Sequence, residues 1–300
     1  MELAWIERLR GESGVGFLGD DAAIYCGKAI TVDMLTEGVD FILSEVSPEL
    51  IGRKSLAVNL SDIAAMGAVP EAALVAVSLP RGDADANILL AEKLYSGMKP
   101  LMEKYGVTII GGDTNCWDAG LVISITLIGS VLPGGVFRRG GAQADDVILV
   151  TGELGGSILK RQFLFEPRVF EAIYLNENHL IHGAIDISDG LAIDLYRVAK
   201  ESNLGAILNS AAIPISPDAF ECSLTSGRLP LDHALSDGED FELILATPET
   251  EAKKLLETQP LLNRYGTKLF AIGKFTADKN LLIANPDGTT NILKPKGFEH

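Results

Sequence analysis

The sequence predicts two domains, each mixing strands and helices, and three observations carry that expectation. The chain has 300 residues, enough for about two domains with separate cores. Apolar β-rich runs alternate with segments of helical periodicity in both halves. A glycine-rich, basic stretch, PGGVFRRGG over 133–141, separates the two sets. It places a boundary near residue 137 and divides the chain into 1–137 and 138–300.

The elements follow in order. Strand-like runs lie at 29–32, 72–79, 107–110 and 121–131, then at 147–150, 184–187, 242–246 and 269–272. Between them, 47–66 carries Leu50, Leu56, Val58, Leu60, Ile63 and Ala64 at helical spacing. The segment 85–105 does the same with Ile88, Leu89, Leu94, Met98, Leu101 and Met102, and 191–202 with Ile193, Leu195, Val198 and Ala199.

Composition narrows the function. The 47% hydrophobic and 22% charged fractions are those of a globular chain. Forty-one acids against 25 Lys and Arg give a net charge of −16, which disfavours nucleic acid and anionic membranes as partners. A phosphate ligand of such a protein would be met through recruited cations. Cys26, Cys116 and Cys222 form no CxxC pair, and the chain opens MELAWIERLR with no apolar signal core, so a reduced, cytoplasmic enzyme is expected. The apolar stretch 121–132 is broken by Ser124, Thr126, Gly129 and Ser130, far short of the roughly 20 residues that span a bilayer.

Two motifs are set aside. Residues 14–19 fit GxGxxG, but a dinucleotide fingerprint follows a strand and opens a helix, whereas this one follows a charged segment and runs into Asp20-Asp21. No GxxxxGK[ST] occurs. His179 and His182, three apart, lack a third ligand at a recognisable spacing and read as a solvated surface pair; His233 and His300 lie in separate contexts.

The acids are the informative residues. Asp20, Asp21, Asp33, Asp62, Asp113, Asp186, Asp189, Glu239 and Asp240 sit beside strand ends, glycines or short polar residues. Any one alone reads as a turn or cap residue, and Asp189 stands where it would cap the 191–202 helix. Several together at strand ends would repel one another unless cations bind. Mg²⁺ takes oxygen ligands and shares them with phosphates, so clustered Asp, glycine-rich backbone and no histidine base describe phosphoryl transfer.

Seven segments in order carry a resemblance: GDDAAI (19–24), TVDMLTEGVDF (31–41), GRKSLAVNLSDIAAMGAVP (52–70), GGDTN (111–115), RRGGAQADDVILVTGELGGS (138–157), AIDISDGLAIDL (184–195) and GEDFEL (238–243). The chain resembles the thiamine-monophosphate kinase family, within the superfamily of aminoimidazole ribonucleotide synthetase and selenophosphate synthetase. That resemblance implies an α+β protein of two mixed α/β-layer domains, with the N-terminal domain dimerising through its sheet. It implies direct γ-phosphoryl transfer from ATP to thiamine monophosphate with several Mg²⁺ ions, and leaves a monovalent-cation requirement open.

Carried over by position, Asp21, Asp33, Asp62, Asp113, Asp186 and Asp189 would hold metal. Asp62, Asp113 and Arg139 would be catalytic. Gly112, Asp113, Arg139, Ser188 and Tyr95 would contact nucleotide, and Asp40, Glu239 and Phe298 the thiamine substrate. Asp20 would stand behind Asp21. The chain departs from the family at Asp40, usually His; at Val32, usually Thr; at Cys116-Trp117, usually Arg-Ser; and at Asp237, usually Gly. The segment 156–168 is compressed. A sister enzyme with another acceptor and a non-catalytic nucleotide-binding homologue are the alternatives.

Overall fold

The computed structural model describes residues 5, 8–10, 12, 16 and 18–298. Gly14, Val15 and Phe17 of the GxGxxG match, His300, and most of the opening segment read for a signal core lie outside the described residues.

The first half builds one sheet from β1 (Ala23–Tyr25), β2 (Lys28–Thr36), β3 (Val69–Pro80), β4 (Thr108–Trp117) and β5 (Val122–Ser130), ordered β1-β2-β5-β3-β4. Against it lie the helices α1 (Pro48–Ala65) and α2 (Ala84–Tyr105). β3 and β4 run parallel, joined by the crossover through α2, while the other pairs are antiparallel. Ser47 caps α1, and Pro48 follows in the first turn, where no amide donor is needed. The two helices meet backbone to backbone. A Cβ on Gly52 would stand 2.0 Å from the Leu94 carbonyl oxygen, and one on Gly97 1.8 Å from that of Glu49.

α1 is buried along nearly its whole length, from Ile51 to Ala65, and so it is a central helix rather than an amphipathic one. Ile123, Ile125 and Leu127 of β5 are buried, and Val122, Ser124, Thr126 and Ile128 on the other face are only half-buried. That outer face is uncovered: Val32 and Leu74, both paired with Thr126, are exposed, as is almost all of the edge strand β4.

The second half contributes β6 (Val147–Thr151), β7 (Gly183–Asp186), β8 (Gly205–Asn209), β9 (Leu243–Thr247), β10 (Leu269–Thr276), β11 (Leu281–Ala284) and β12 (Thr290–Ile292), ordered β12-β11-β8-β10-β6-β9-β7. With them come α3 (Val169–Asn178), α4 (Leu191–Glu201), α5 (Pro217–Ser226), α6 (Pro230–Ser236), α7 (Glu249–Thr258) and α8 (Pro260–Tyr265). β6 and β9 are buried on both faces, which explains their unbroken apolar sequences. Leu149, Leu243 and Leu245 join the core that contains α1, and Ile148, Val150, Ile244 and Ala246 join a second core with Leu191, Leu195 and Val198 of α4. One face of the second sheet therefore continues the core of the first half. Among the described residues no helix is long and apolar enough to cross a membrane.

The histidine expectation is corrected. His179 and His182 lie beyond the end of α3 and neither is a solvated surface residue: Nδ1 of His179 is 2.5 Å from Glu251 Oε1, and Nδ1 of His182 is 2.9 Å from Asp146 Oδ2. Each is half-buried against its own carboxylate because helix α7 and the loop before β6 supply the partners.

Candidate active site

A cavity of about 1040 Å³ opens between the two halves. Its walls come from β2, the turn after it, α1, the segment 158–164, the end of β7 and the loop before β9. Asp21, Asp33, Asp40, Asp62, Arg139, Asp186, Ser188, Asp189, Glu239 and Phe298 all line it. Ten of the thirteen residues given a metal, catalytic, nucleotide or substrate role are thus brought together, from segments far apart in the chain.

Three carboxylates converge most closely. Asp21 stands just before β1, Asp62 in the last turn of α1, and Asp186 at the end of β7; each offers an oxygen within 4.8 Å of the others. Thr31 donates a short hydrogen bond to Asp62, and Ser61 Oγ donates to Asp186 Oδ2 at 2.6 Å. Arg139 Nη2 donates to Asp21 Oδ1 at 2.6 Å, while the other oxygen of that buried carboxylate has no hydrogen-bond partner. Arg138 Nη1 and the Arg139 amide both bind Asp20, which holds the segment carrying Asp21 against the second half.

The electrostatics of the cluster are unfavourable as it stands. Burial, with the charges of Asp21, Asp40 and Asp189, pushes Asp33 up to about 6. Burial, then Asp33, Asp186 and Asp21, holds Asp62 well above the usual carboxylate range; burial and then Asp21 do the same to Asp186. The donor set contains only oxygen, and the buried Asp21 Oδ2 lacks a partner, so the residues fit a hard divalent cation such as Mg²⁺.

Asp189 is engaged elsewhere: Arg197 Nη1 lies 2.5 Å from its Oδ2 and 2.6 Å from Asp194 Oδ1. It does not cap α4. Asp194, inside the helix, accepts the Asp189 and Gly190 amides at 3.0 Å each, and burial is the main reason its own carboxyl rises to about 7. Ser188 contributes its carbonyl to the Glu239 amide at 2.6 Å.

Asp40 turns its carboxylate back on the Thr36 amide at 2.6 Å, closing the turn after β2. Glu239 is ion-paired at 2.6 Å with Lys54, a fully buried lysine of α1. Asp237, the departure from the family's glycine, accepts from Gly156 N–H and Arg228 and pairs with His233, whose Nε2 meets Ser226. The following Gly238 is in the left-handed region, φ 76°, and a Cβ there would lie 2.7 Å from Ser188 O.

Gly112, Asp113 and Tyr95 do not line the cavity. Gly112 and Asp113 are exposed on β4, and Tyr95 is exposed on α2. Packing against β3 already requires Gly112, since a Cβ would stand 1.8 Å from Val75 O. Sequence reasoning missed Lys54, Ser61, Thr31 and Arg197. Lys54 had a legible signal, a lone cation on the stripe Leu50, Lys54, Val58, Ser61, Asp62 of a helix otherwise rich in apolar residues.

The family described as AIR synthase related protein, N-terminal domain, matches residues 19–131, and its C-terminal domain counterpart matches 143–283. The thiamine-monophosphate kinase of Rhodopirellula baltica is 38% identical over 318 residues, covering 100% of this chain and 97% of that protein. That of Bacillus subtilis is 33% identical over 315 residues, covering 94% and 92%. Among solved structures, AaThiL complexed with AMPPCP and TMP aligns with a TM-score of 0.83 at 25% identity, covering 100% of this chain and 96% of that one. On its length, its paired domains and the identity of these relatives, the chain belongs to the thiamine-monophosphate kinase family.

Proposed function

We propose that this chain transfers the γ-phosphoryl group of ATP to thiamine monophosphate, giving thiamine diphosphate and ADP. The observation that carries the reading is the convergence of Asp21, Asp62 and Asp186 beside Arg139 in the cavity of a member of this family. The relative solved with AMPPCP and TMP supports the same pair of ligands.

Asp21, Asp62 and Asp186 would hold Mg²⁺, with Asp33, Asp189 and Asp113 as further ligands. Bound there, Mg²⁺ supplies neutralisation of the charge that builds on the polyphosphate. The protein's own part is positioning. Arg139, fixed by Asp21 and by the Asp20 contact of its amide, presents a cation toward the phosphates. Thr31 and Ser61 each hold one oxygen, of Asp62 and Asp186 respectively, and so orient the two carboxylates. Ser188 and Gly112 would contact nucleotide, as would Tyr95. Glu239, Asp40 and Phe298 would face the thiamine part.

Neither Cys nor His lines the cavity among the described residues, which favours direct in-line transfer over a phosphoenzyme on either. The uncovered sheet face and the exposed strand β4 support pairing with a second copy, which would carry Gly112 and Asp113 to a nucleotide near the interface. A homodimer, division of the chain near residue 137 and a cytoplasmic setting belong to the same proposal.

The test is ADP release from Mg²⁺-ATP with and without thiamine monophosphate, with the product identified by mass. Acceptor-dependent release with thiamine diphosphate formed is the expected result. Nucleotide binding without that turnover overturns the substrate assignment and moves the search to another acceptor, beginning at Asp40.

A further inference from the structure

An ion pair lies behind the cavity wall. Lys54 is wholly buried and its ammonium spends all three protons: on Glu239 Oε1 at 2.6 Å, on Gln162 Oε1 at 2.7 Å and on the Asp40 carbonyl at 3.1 Å. The Phe163 ring lies 4.9 Å from Nζ and closes the remaining side. Lys54 does not line the cavity, whereas Glu239 does, with its side chain 31% exposed. The backbone carrying Glu239 is equally fixed. Glu239 and Phe241 both have positive φ, 55° and 51°, and their amides are pinned to Ser188 O and Ile187 O at 2.6 and 2.8 Å.

We propose that Lys54 is a positioning residue that neutralises and orients Glu239, so that Glu239 offers its second oxygen as a hydrogen-bond acceptor for an N–H group of the acceptor substrate, not as a counter-charge for a cation. The inference rests on the kinase reading above and deepens it. A carboxylate already paired with a buried ammonium forms a unit without net charge, and a second cation gains little Coulomb energy from it. Its free oxygen keeps its lone pairs and its direction. In thiamine monophosphate, the group that matches is the aminopyrimidine, which carries N–H donors, and not the positively charged thiazolium. Burial pushes the Glu239 carboxyl up and the Asp40 and Asp189 charges add to this, while Lys54 works the other way. Lys54 is therefore the group that favours the ionised form of Glu239 against burial.

The two roles give opposite signs in one variant. In Lys54→Met the KM for thiamine monophosphate is expected to rise about tenfold, with kcat and the KM for ATP within about twofold of wild type. A fall in that KM means that the freed carboxylate attracts a cation, and overturns the proposal; so does an unchanged KM in a folded variant. A thermal melt establishes that the variant folds. If it does not, the wild-type protein serves: a thiamine monophosphate analogue lacking the exocyclic amino group is expected to bind about tenfold more weakly. Equal affinity for the two refutes the acceptor role. Absence of turnover by wild type with thiamine monophosphate itself is a different failure, that of the kinase reading, and takes this inference with it.

Discussion

Replacing Asp33 by Asn is expected to stabilise the metal-free protein while weakening its response to Mg²⁺. The Asp33 carboxyl is pushed up to about 6 from an ordinary value of 3.8, chiefly by burial and then by Asp21, Asp40 and Asp189. An acid whose pKa is raised on folding binds its proton more tightly in the native state, so its contribution to stability is most favourable below the unfolded value and is lost as pH rises through the folded one. The cost of ionising it in the folded chain is about 3 kcal/mol at pH 7.5 and about half that at pH 5. Asn is neutral and nearly isosteric, so Asp33→Asn removes most of that cost; the loss of its hydrogen bond with Asp62 makes these figures upper bounds. At roughly 3 °C per kcal/mol for a domain of this size, the melting temperature in EDTA rises by up to about 9 °C at pH 7.5, and by clearly less at pH 5. With Mg²⁺ at about 100 times its Kd, wild type gains about 2.7 kcal/mol from binding, and the variant gains less. The assay is thermal unfolding with EDTA and with Mg²⁺ at both pH values. A variant no more stable than wild type in EDTA at pH 7.5, or a gain that does not shrink at pH 5, refutes the assignment of Asp33 to a mutually repelling buried cluster.

Three further outcomes are expected. Asp62→Asn lowers kcat by about two orders of magnitude or more while the protein stays folded, as read by steady-state kinetics beside a melt; near-wild-type turnover removes Asp62 from the metal set. Gly97→Ala drives a Cβ against the Glu49 carbonyl, 1.8 Å away before any relaxation, and should cost about 3 kcal/mol or more by denaturant titration. Asp40→His removes the carboxylate that accepts the Thr36 amide and should cost about 1 kcal/mol of stability, whatever it does to substrate affinity; an unchanged denaturation midpoint would show that the turn after β2 does not depend on that bond.

The parts of the fold legible in the sequence are those whose pattern is set locally. The run at 147–150 reads as a buried strand because both faces of β6 are covered, and 85–105 reads as a helix because α2 leaves one side in solvent. The strands β8, β11 and β12 and the helices α3 and α5 to α8 are short, so each offers few turns or pleats over which a period can be read. At the site, the residue types of the acids were legible and their geometry was not. Nothing local says that Asp189 is held by Arg197 or that Gly112 is fixed by Val75. These are consequences of packing, and Lys54 is the clearest case, since its partners Gln162 and Glu239 lie more than a hundred residues away.

Helix α1 explains why stability and chemistry cannot be separated in this protein. Its stripe at Leu50, Lys54, Val58, Ser61 and Asp62 follows the helical repeat and faces the cavity and the second half. Each polar member reaches a different loop: Lys54 the Glu239 turn and the 158–164 segment, Ser61 the end of β7, and Asp62 the β2 strand through Thr31. Arg53 adds contacts to the carbonyls of Phe163 and Phe165 at 3.1 and 2.6 Å. Ile51, Leu56, Ala57, Leu60, Ile63, Ala64 and Ala65 belong to the core that continues into the second sheet. A carboxylate cluster that repels itself needs its members fixed before any cation arrives, and a helix buried on all sides is the most rigid support available for two of its polar anchors. The arrangement therefore anchors one of the costly charges, Asp62, on an element buried along nearly its whole length, so the 52–70 segment carries both core residues and residues on which the proposed chemistry depends.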